Sequence, residues 1–348
     1  MERPTSPRPP APSETNPNEH SPSWASPTSP TSTELDQALI DLSGRNVIVT
    51  GGHVGLGLQV TRALAEAGAS VVVGSRHPER ATSALAGTER AEISRLDLLD
   101  PASIDAFATR SLDSGRPLHI LVNNAGIMSP AERTLDARGY EAQFATNHLG
   151  HFQLTLGLLP ALRAAHGARV VNTTSGATRI CDIRWEDPHF ATGYDGHLAS
   201  AQSKTANVLF AVELDRRWPE DGIHGYAAHP GIVVGTNLGN SMPADQVQAM
   251  HRAVGLVDES GRPVIDPESG KKTPQQGAAT LVFGATSPLL VDIGGVYLRD
   301  NDISPLDDAA DPDAQGADLI HSQNVVPHSL DSRSARRLWE LSEHLLTA

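Results

Sequence analysis

Cysteine occurs once in these 348 residues, at Cys181, so no internal disulfide can form. No apolar run approaches the ~18 residues of a membrane-spanning helix. Nor does the start of the chain hold the continuous apolar core, about 7–15 residues long, of a secretory signal. Basic charge is scarce: 27 Lys and Arg stand against 41 Asp and Glu, for a net charge of −14. Phosphate-backbone binding needs clustered Lys and Arg, so nucleic acid is excluded as a general partner. Cys/His spacing of the kind that builds a metal cluster is missing, and no internal repeat is visible. These absences lead to the expectation of a soluble, cytoplasmic protein without a structural metal.

What is present is unevenly distributed. Nine prolines fall in the first thirty residues, and Trp24 is the one large apolar residue there beyond Met1. Such a segment cannot bury enough apolar surface to offset its ordering entropy, so residues 1–33 are expected to be a disordered Pro/Ser-rich tail. Residues 34–348 then form one domain, a normal size for an α/β domain with insertions. Asp300, Asp302, Asp307, Asp308, Asp311 and Asp313 crowd one C-terminal stretch. It reads as a solvated loop, because a calcium loop requires regular ligand spacing and a terminal Glu.

Strand and helix patterns alternate from about residue 39. Short β-branched or apolar runs at 46–50, 70–73, around Ile93, 120–122, 169–171, 225–227 and 295–298 read as strands. Helical patterns separate them, the clearest from Lys204 to Arg217. Continuous apolar strands in βαβα order imply a parallel sheet covered on both faces, that is, a doubly wound α/β fold. Ligands bind such a sheet at the carboxyl ends of its strands. The stretch Ser260–Lys272 breaks the rhythm and reads as an exposed loop or short hairpin. Residues 232–257 are expected to contain the substrate lid.

The segment Thr50-Gly51-Gly52-His53-Val54-Gly55-Leu56-Gly57 joins the first strand to the first helix. A glycine turn in that place lets backbone N–H groups approach a pyrophosphate, whose charge the helix N-terminus favours. The second strand ends in Gly74-Ser75-Arg76. A carboxylate there would take the ribose hydroxyls of NAD. Ser75 carries no repelling charge, and Arg76 can either pair with a 2′-phosphate or remain an ordinary surface arginine. The missing carboxylate and the arginine together favour NADP(H) over NAD(H).

The spacing of Gly51, Gly55 and Gly57 resembles that of the short-chain dehydrogenase/reductase family, whose fold is Rossmann-type. Further segments extend the resemblance over most of the chain after the tail. Asn123-Asn124-Ala125-Gly126 is similar to the family's NNAG motif, and Asp97-Leu98 stands where the family contacts adenine. Ala145-Thr146-Asn147-His148-Leu149-Gly150 is similar to the segment of the catalytic asparagine, which maps to Asn147. Val170-Val171-Asn172-Thr173-Thr174-Ser175 is similar to the catalytic-serine strand, with Ser175 in that role. Gln202-Ser203-Lys204-Thr205-Ala206-Asn207 resembles the lysine helix of the retinol-dehydrogenase-like branch. His229-Pro230-Gly231 resembles the turn over the nicotinamide, with Thr236 one residue beyond the family's usual threonine position, here Gly235. The resemblance therefore implies cofactor contacts from Gly51, His53, Gly55, Leu56, Gly57, Ser75, Arg76, Asp97 and Leu98. It adds Asn124, Ala125, Gly126, Lys204, Pro230, Gly231 and Thr236. A homo-oligomer is implied as well.

One element of the family's pattern is lacking. Its lysine is preceded by four residues by a tyrosine, whose phenol exchanges the proton with the substrate; here that position is Ser200. An aliphatic hydroxyl is far less acidic than a phenol of pKa ≈ 10 and sits on a much shorter side chain. Tyr194, His197 or an ordered water beside Lys204 are the candidate substitutes. The resemblance thus implies an NAD(P)-dependent oxidoreductase for a hydrophobic alcohol, ketone or aldehyde, with an altered proton donor. Two other readings stay open: a non-redox enzyme (dehydratase, isomerase or cyclase) on the same scaffold, and a catalytically silent NADP-binding regulatory protein.

Overall fold

The computed structural model describes residues 40–128, 130–233, 248–249, 251–252, 255–308 and 324–347. The expected tail, most of the expected lid, Thr236, Asp311 and Asp313 lie outside the described residues. The first half of the fold runs β1 (Asn46–Thr50), α1 (Gly55–Glu66), β2 (Ser70–Ser75), α2 (Pro78–Ala84), β3 (Ala91–Arg95), α3 (Pro101–Asp113) and β4 (Ile120–Asn123). It continues through α4 (Ala142–Phe144), a π-helical turn (Ala145–Leu149), α5 (Gly150–Gly157), β5 (Ala168–Thr173), α6 (Gly196–Arg217) and β6 (Ile223–His229). Two short strands follow, β7 (Ile232–Val233) and β8 (Lys271–Lys272), then α7 (Pro274–Thr286), β9 (Val296–Arg299), β10 (Asp302–Ile303) and α8 (Ser332–Thr347).

The main sheet has eight strands in the order β10-β9-β6-β5-β4-β1-β2-β3. All neighbours are parallel except β10, which runs antiparallel on β9. The strands expected from the sequence are all present. Strand order reverses between β1 and β4, and the crevice at their carboxyl ends is where a doubly wound sheet takes its ligand. Successive side chains of β1 show why both faces are filled. Val47 and Val49 pack with Leu64 and Leu281 under α1 and α7, while Ile48 packs with Leu121, Phe152 and Phe210 under α3, α5 and α6. Trp339 of α8 closes the second layer, with its ring 4.8 Å from Phe152 and the Arg217 guanidinium 4.3 Å over it.

Two local differences from the sequence reading have clear causes. Helix α6 starts at Gly196, eight residues before Lys204, because the Asp195 carboxylate accepts from the His197 and Leu198 amides at 2.7 and 3.0 Å. His197 is therefore in the first turn of the helix. The Ser260–Lys272 stretch does turn back on itself, with bridges Val257↔Pro263 and Asp266↔Lys271. Its end also pairs as β8 with β7, a contact between remote segments that no local pattern announces.

Candidate active site

At the carboxyl ends of β1, β2, β4 and β5 lies a cavity of about 370 Å³. The glycine turn forms its floor. Gly51 adopts φ +64°, a left-handed conformation that suits glycine. A Cβ on Gly57 would overlap the Gly51 carbonyl oxygen, so Gly57 serves the packing of the turn and does not line the cavity. Thr50 fastens this turn to the next strand end: its Oγ1 accepts from the Asn124 and Ala125 amides at 2.9 and 3.0 Å. The Asn124 side-chain amide donates back to the Thr50 carbonyl at 2.9 Å. Gly51, His53, Gly55, Leu56, Asn124, Ala125 and Gly126 all line the cavity.

Ser75, Arg76 and His77 after β2, and Asp97 and Leu98 after β3, form one end of the cavity. Ser75 is buried, and its Oγ accepts from the His77 amide at 3.1 Å. Arg76 is exposed, so its guanidinium is available to a ligand in solution. The Asp97 carboxylate turns inward to accept from the Leu99 amide at 3.1 Å. His53 is held below its ordinary pKa by burial and then by His77, and its Nδ1 is buried without a partner.

Pro230, Gly231, Thr173, Thr174, Ser175, Ser200 and Lys204 line the other end. Ser175 caps the short 3-10 turn Gly176–Ile180 by accepting from the Ala177 amide at 3.2 Å. Lys204 projects from α6 four residues after Ser200, on the same helical face. Its ammonium donates to the Thr173 carbonyl at 3.3 Å, and Thr174 Oγ1 donates to the Lys204 carbonyl at 2.9 Å. Burial pushes Lys204 down to about 8.

Asn147 stands in the π-helical turn, an irregularity that often marks a functional position. It is buried just behind the cavity wall. Its Oδ1 accepts from the Ile127 amide at 2.9 Å, and its Nδ2 donates to the Ile127 carbonyl and Ser203 Oγ at 3.0 and 2.9 Å. One further link was missed by motif reading. His151, one helical turn on, bonds the Asn147 carbonyl through Nδ1 at 2.9 Å and Thr50 Oγ1 through Nε2 at 2.8 Å. It thereby ties the glycine turn to the asparagine turn. Burial holds it neutral, down to about 4. A carbonyl only accepts, so Nδ1 carries the proton and Nε2 accepts from Thr50. The i, i+4 spacing of Asn147 and His151 was the available signal.

The two side chains among the sequence candidates for replacing the phenol are placed elsewhere. Tyr194 Oη donates to the Pro130 carbonyl at 3.2 Å and accepts from Gln143 Nε2 at 3.4 Å. Burial and the nearby Glu141 raise its pKa. Neither Tyr194 nor the exposed His197 lines the cavity, whereas Ser200 does.

Comparison with known proteins agrees with this geometry. The family described as "short chain dehydrogenase" matches residues 45–247. The chain is similar to a Streptomyces lividans protein named "Probable oxidoreductase", with 44% identity over 89% of this chain and 100% of that one. It is 33% identical to human retinol dehydrogenase 12, over 88% of each chain. Among solved structures, a crystal structure from Mycobacterium paratuberculosis superposes with a TM-score of 0.65 and 30% identity, covering 89% of this chain and 96% of that one.

Proposed function

The chain belongs to the short-chain dehydrogenase family, and from that premise we propose that it is an NADP(H)-dependent oxidoreductase for a hydrophobic alcohol, ketone or aldehyde, with an altered proton donor. The observation that carries the reading is convergence. Ser175 and Lys204, from segments remote in sequence, line one end of a cavity whose floor is the glycine turn, and Asn147 is packed directly behind them. A dinucleotide fits these residues. The turn presents bare backbone to the cavity at Gly51 and Gly55, which have φ +64° and +55°. Retinol dehydrogenase 12, by its name, handles a long apolar alcohol, which supports the substrate class.

The cofactor, when bound, supplies or accepts a hydride at its nicotinamide ring. The chain's own residues do the rest. Arg76 pairs with the 2′-phosphate, and the end of β2 itself carries no carboxylate to repel that anion. Lys204 has two N–H groups beyond the one given to Thr173 and directs one of them to the ribose hydroxyls. Ser175 Oγ donates to the substrate oxygen and so supports negative charge developing on it. Asn147 holds the Ile127 backbone and Ser203, and thereby fixes the walls around the reacting atoms. Self-association into a homo-oligomer belongs to the same proposal and is read by light scattering.

Ser200 in the phenol's place is the feature that favours a second reading, a non-redox reaction. A hydride-transfer assay separates the two. Following NADPH and NADH absorbance against apolar ketones and aldehydes is expected to give turnover, faster with NADPH. Conversion of a metabolite with no change in cofactor absorbance identifies the non-redox enzyme. Tight NADPH binding with no conversion in either direction identifies a silent binding protein.

A further inference from the structure

The proposed reaction needs a proton, and the side chain that supplies it in related enzymes is replaced by Ser200. The cavity contains few titratable groups. His53, Arg76, His77 and Asp97 lie at the end beside β2 and β3. Among the described residues, Lys204 is the one titratable side chain that lines the end holding Ser175. Tyr194 is committed to the Pro130 carbonyl and Gln143. Asn147 has both side-chain atoms engaged and cannot titrate.

We infer that Lys204 is the proton source of the reaction, acting through a water molecule held by Ser200 Oγ in the space where related enzymes carry a phenol. The inference rests on the oxidoreductase reading above. Three features of the site support it. Ser200 and Lys204 share one face of α6 at i and i+4, so a water bonded to the hydroxyl is within reach of the ammonium. Among the described residues, the ammonium donates one hydrogen bond to the protein, at 3.3 Å to the Thr173 carbonyl, and it lies near Gly126, where an added Cβ would stand 3.8 Å from it. Burial without a carboxylate partner brings Lys204 to about 8, close to the pH at which a proton is exchanged most effectively. The charged and titratable surroundings are sparse. His151 of α5 is the titratable neighbour, kept neutral by burial and by the Lys204 charge, and β5 offers only the Thr173 carbonyl.

In the reducing direction the carbonyl carbon receives the hydride and a C–H bond forms. The C=O π pair moves to oxygen, which takes a proton from the water. The water takes a proton from Lys204 Nζ, leaving a neutral amine that solvent reprotonates. The carbonyl is reduced to an alcohol and NADPH is oxidised to NADP⁺, so electrons and protons balance. The reverse direction starts from the neutral amine.

The sequence contains three lysines, Lys204, Lys271 and Lys272, which makes a direct test practical. The chain is labelled with ε-¹³C lysine, and the Lys204 signal is assigned by its loss in Lys204→Arg. The titration is then followed with and without NADP⁺. Lys204 is expected to titrate near 8, and kcat for ketone reduction is expected to fall about tenfold per pH unit above that point. The oxidative kcat is expected to rise through the same pH range. Lys204→Arg keeps the positive charge and does not titrate. With NADPH binding measured by fluorescence and the cofactor kept saturating, kcat should fall by about 10²–10⁴ and its dependence on pH in this range should disappear. Ser200→Ala should lower kcat with little change in the KM for NADPH. A wild-type kcat that is flat through the measured Lys204 titration overturns the relay, as does a Lys204→Arg variant with wild-type kcat. Should Lys204→Arg fail to fold, the coincidence of the wild-type titration and kcat profile decides alone. Turnover without that coincidence leaves the oxidoreductase reading standing and removes only the relay. Failure of both wild type and Ser200→Tyr to transfer hydride to any carbonyl removes both.

Discussion

At the residue scale, two side chains carry opposite kinds of information. In the proposed reading, Arg76 matters by its presence. It stands exposed at the cavity end beside Ser75, with no carboxylate at the strand end to repel a phosphate. Arg76→Leu is expected to weaken NADPH binding by roughly 1.5–3 kcal/mol, the range for a charge-assisted hydrogen bond, and to leave NADH binding nearly unchanged. Fluorescence titration with both cofactors checks this, and equal losses for the two defeat the 2′-phosphate assignment. In the proposed reading, Ser200 matters for the phenol whose place it takes. With Ser175 and Lys204 lining the same end of the cavity, Ser200→Tyr should create or raise generic carbonyl reductase activity. The decisive combination is a mutant structure with the phenol beside Lys204 and an assay; a correctly seated but inactive phenol shows that the scaffold has diverged from carbonyl chemistry. Tyr194→Phe should leave the natural rate unchanged, since its hydroxyl is spent on Pro130 and Gln143.

At the element scale, α6 places both Ser200 and Lys204, and its register is set from outside the pair. The Asp195 cap fixes the first turn, and sixteen of its residues are buried, between β5, β6 and α8. Asp195→Ala should cost about 0.5–2 kcal/mol of stability, typical for losing a helix N-cap. Chemical denaturation reads this directly; an unchanged midpoint means that packing alone holds the turn. The motif residues on α6 were legible because the pattern Gln202-Ser203-Lys204 is local. The start of the helix was not, since Gly196 and Ser200 are weak helix formers and the capping bonds decide the boundary. The π-helical turn is similar. Its sequence resembles a known catalytic segment, yet nothing in the local pattern says that Asn147 will spend its amide on Ile127 and Ser203.

At the scale of the whole molecule, three histidines among the described residues are buried and neutral: His148 and His229 at about 3, and His151 at about 4. Desolvation is the leading cause in each case. The unfolded chain takes up protons as pH falls through the ordinary value of about 6.5, whereas the folded chain does not until much lower pH. Their contribution to stability is therefore complete above pH 6.5 and declines as pH falls from there to about 4 for His151 and about 3 for His148 and His229. The slope is about 1.4 kcal/mol per pH unit for each histidine. Denaturant midpoints measured from pH 7.5 to 4.5 should fall steeply well above the carboxylate range. A flat profile down to pH 5 contradicts the burial of these rings. The N-terminal residues 1–33 are a separate matter. Their composition predicts that deleting them changes neither thermal stability nor NADPH affinity, and a large loss of either would falsify the tail assignment.

The sequence by itself determined the doubly wound class, because continuous apolar strands alternating with helical segments are local patterns that a parallel sheet covered on both faces buries. It also marked the glycine turn, the strand end at Ser75 and Arg76, and the substitution at Ser200, since each is a short motif at a fixed place in that alternation. Only the tertiary structure decided which hydroxyls and amines meet. Tyr194, close to Ser200 in sequence, points to Pro130, while Lys204 reaches the Ser175 end of the cavity and His151 spans from Asn147 to Thr50. Side-chain direction and burial depend on what the rest of the chain packs against. The free energy of a buried ammonium or imidazole is set by that packing, which no stretch of sequence contains on its own.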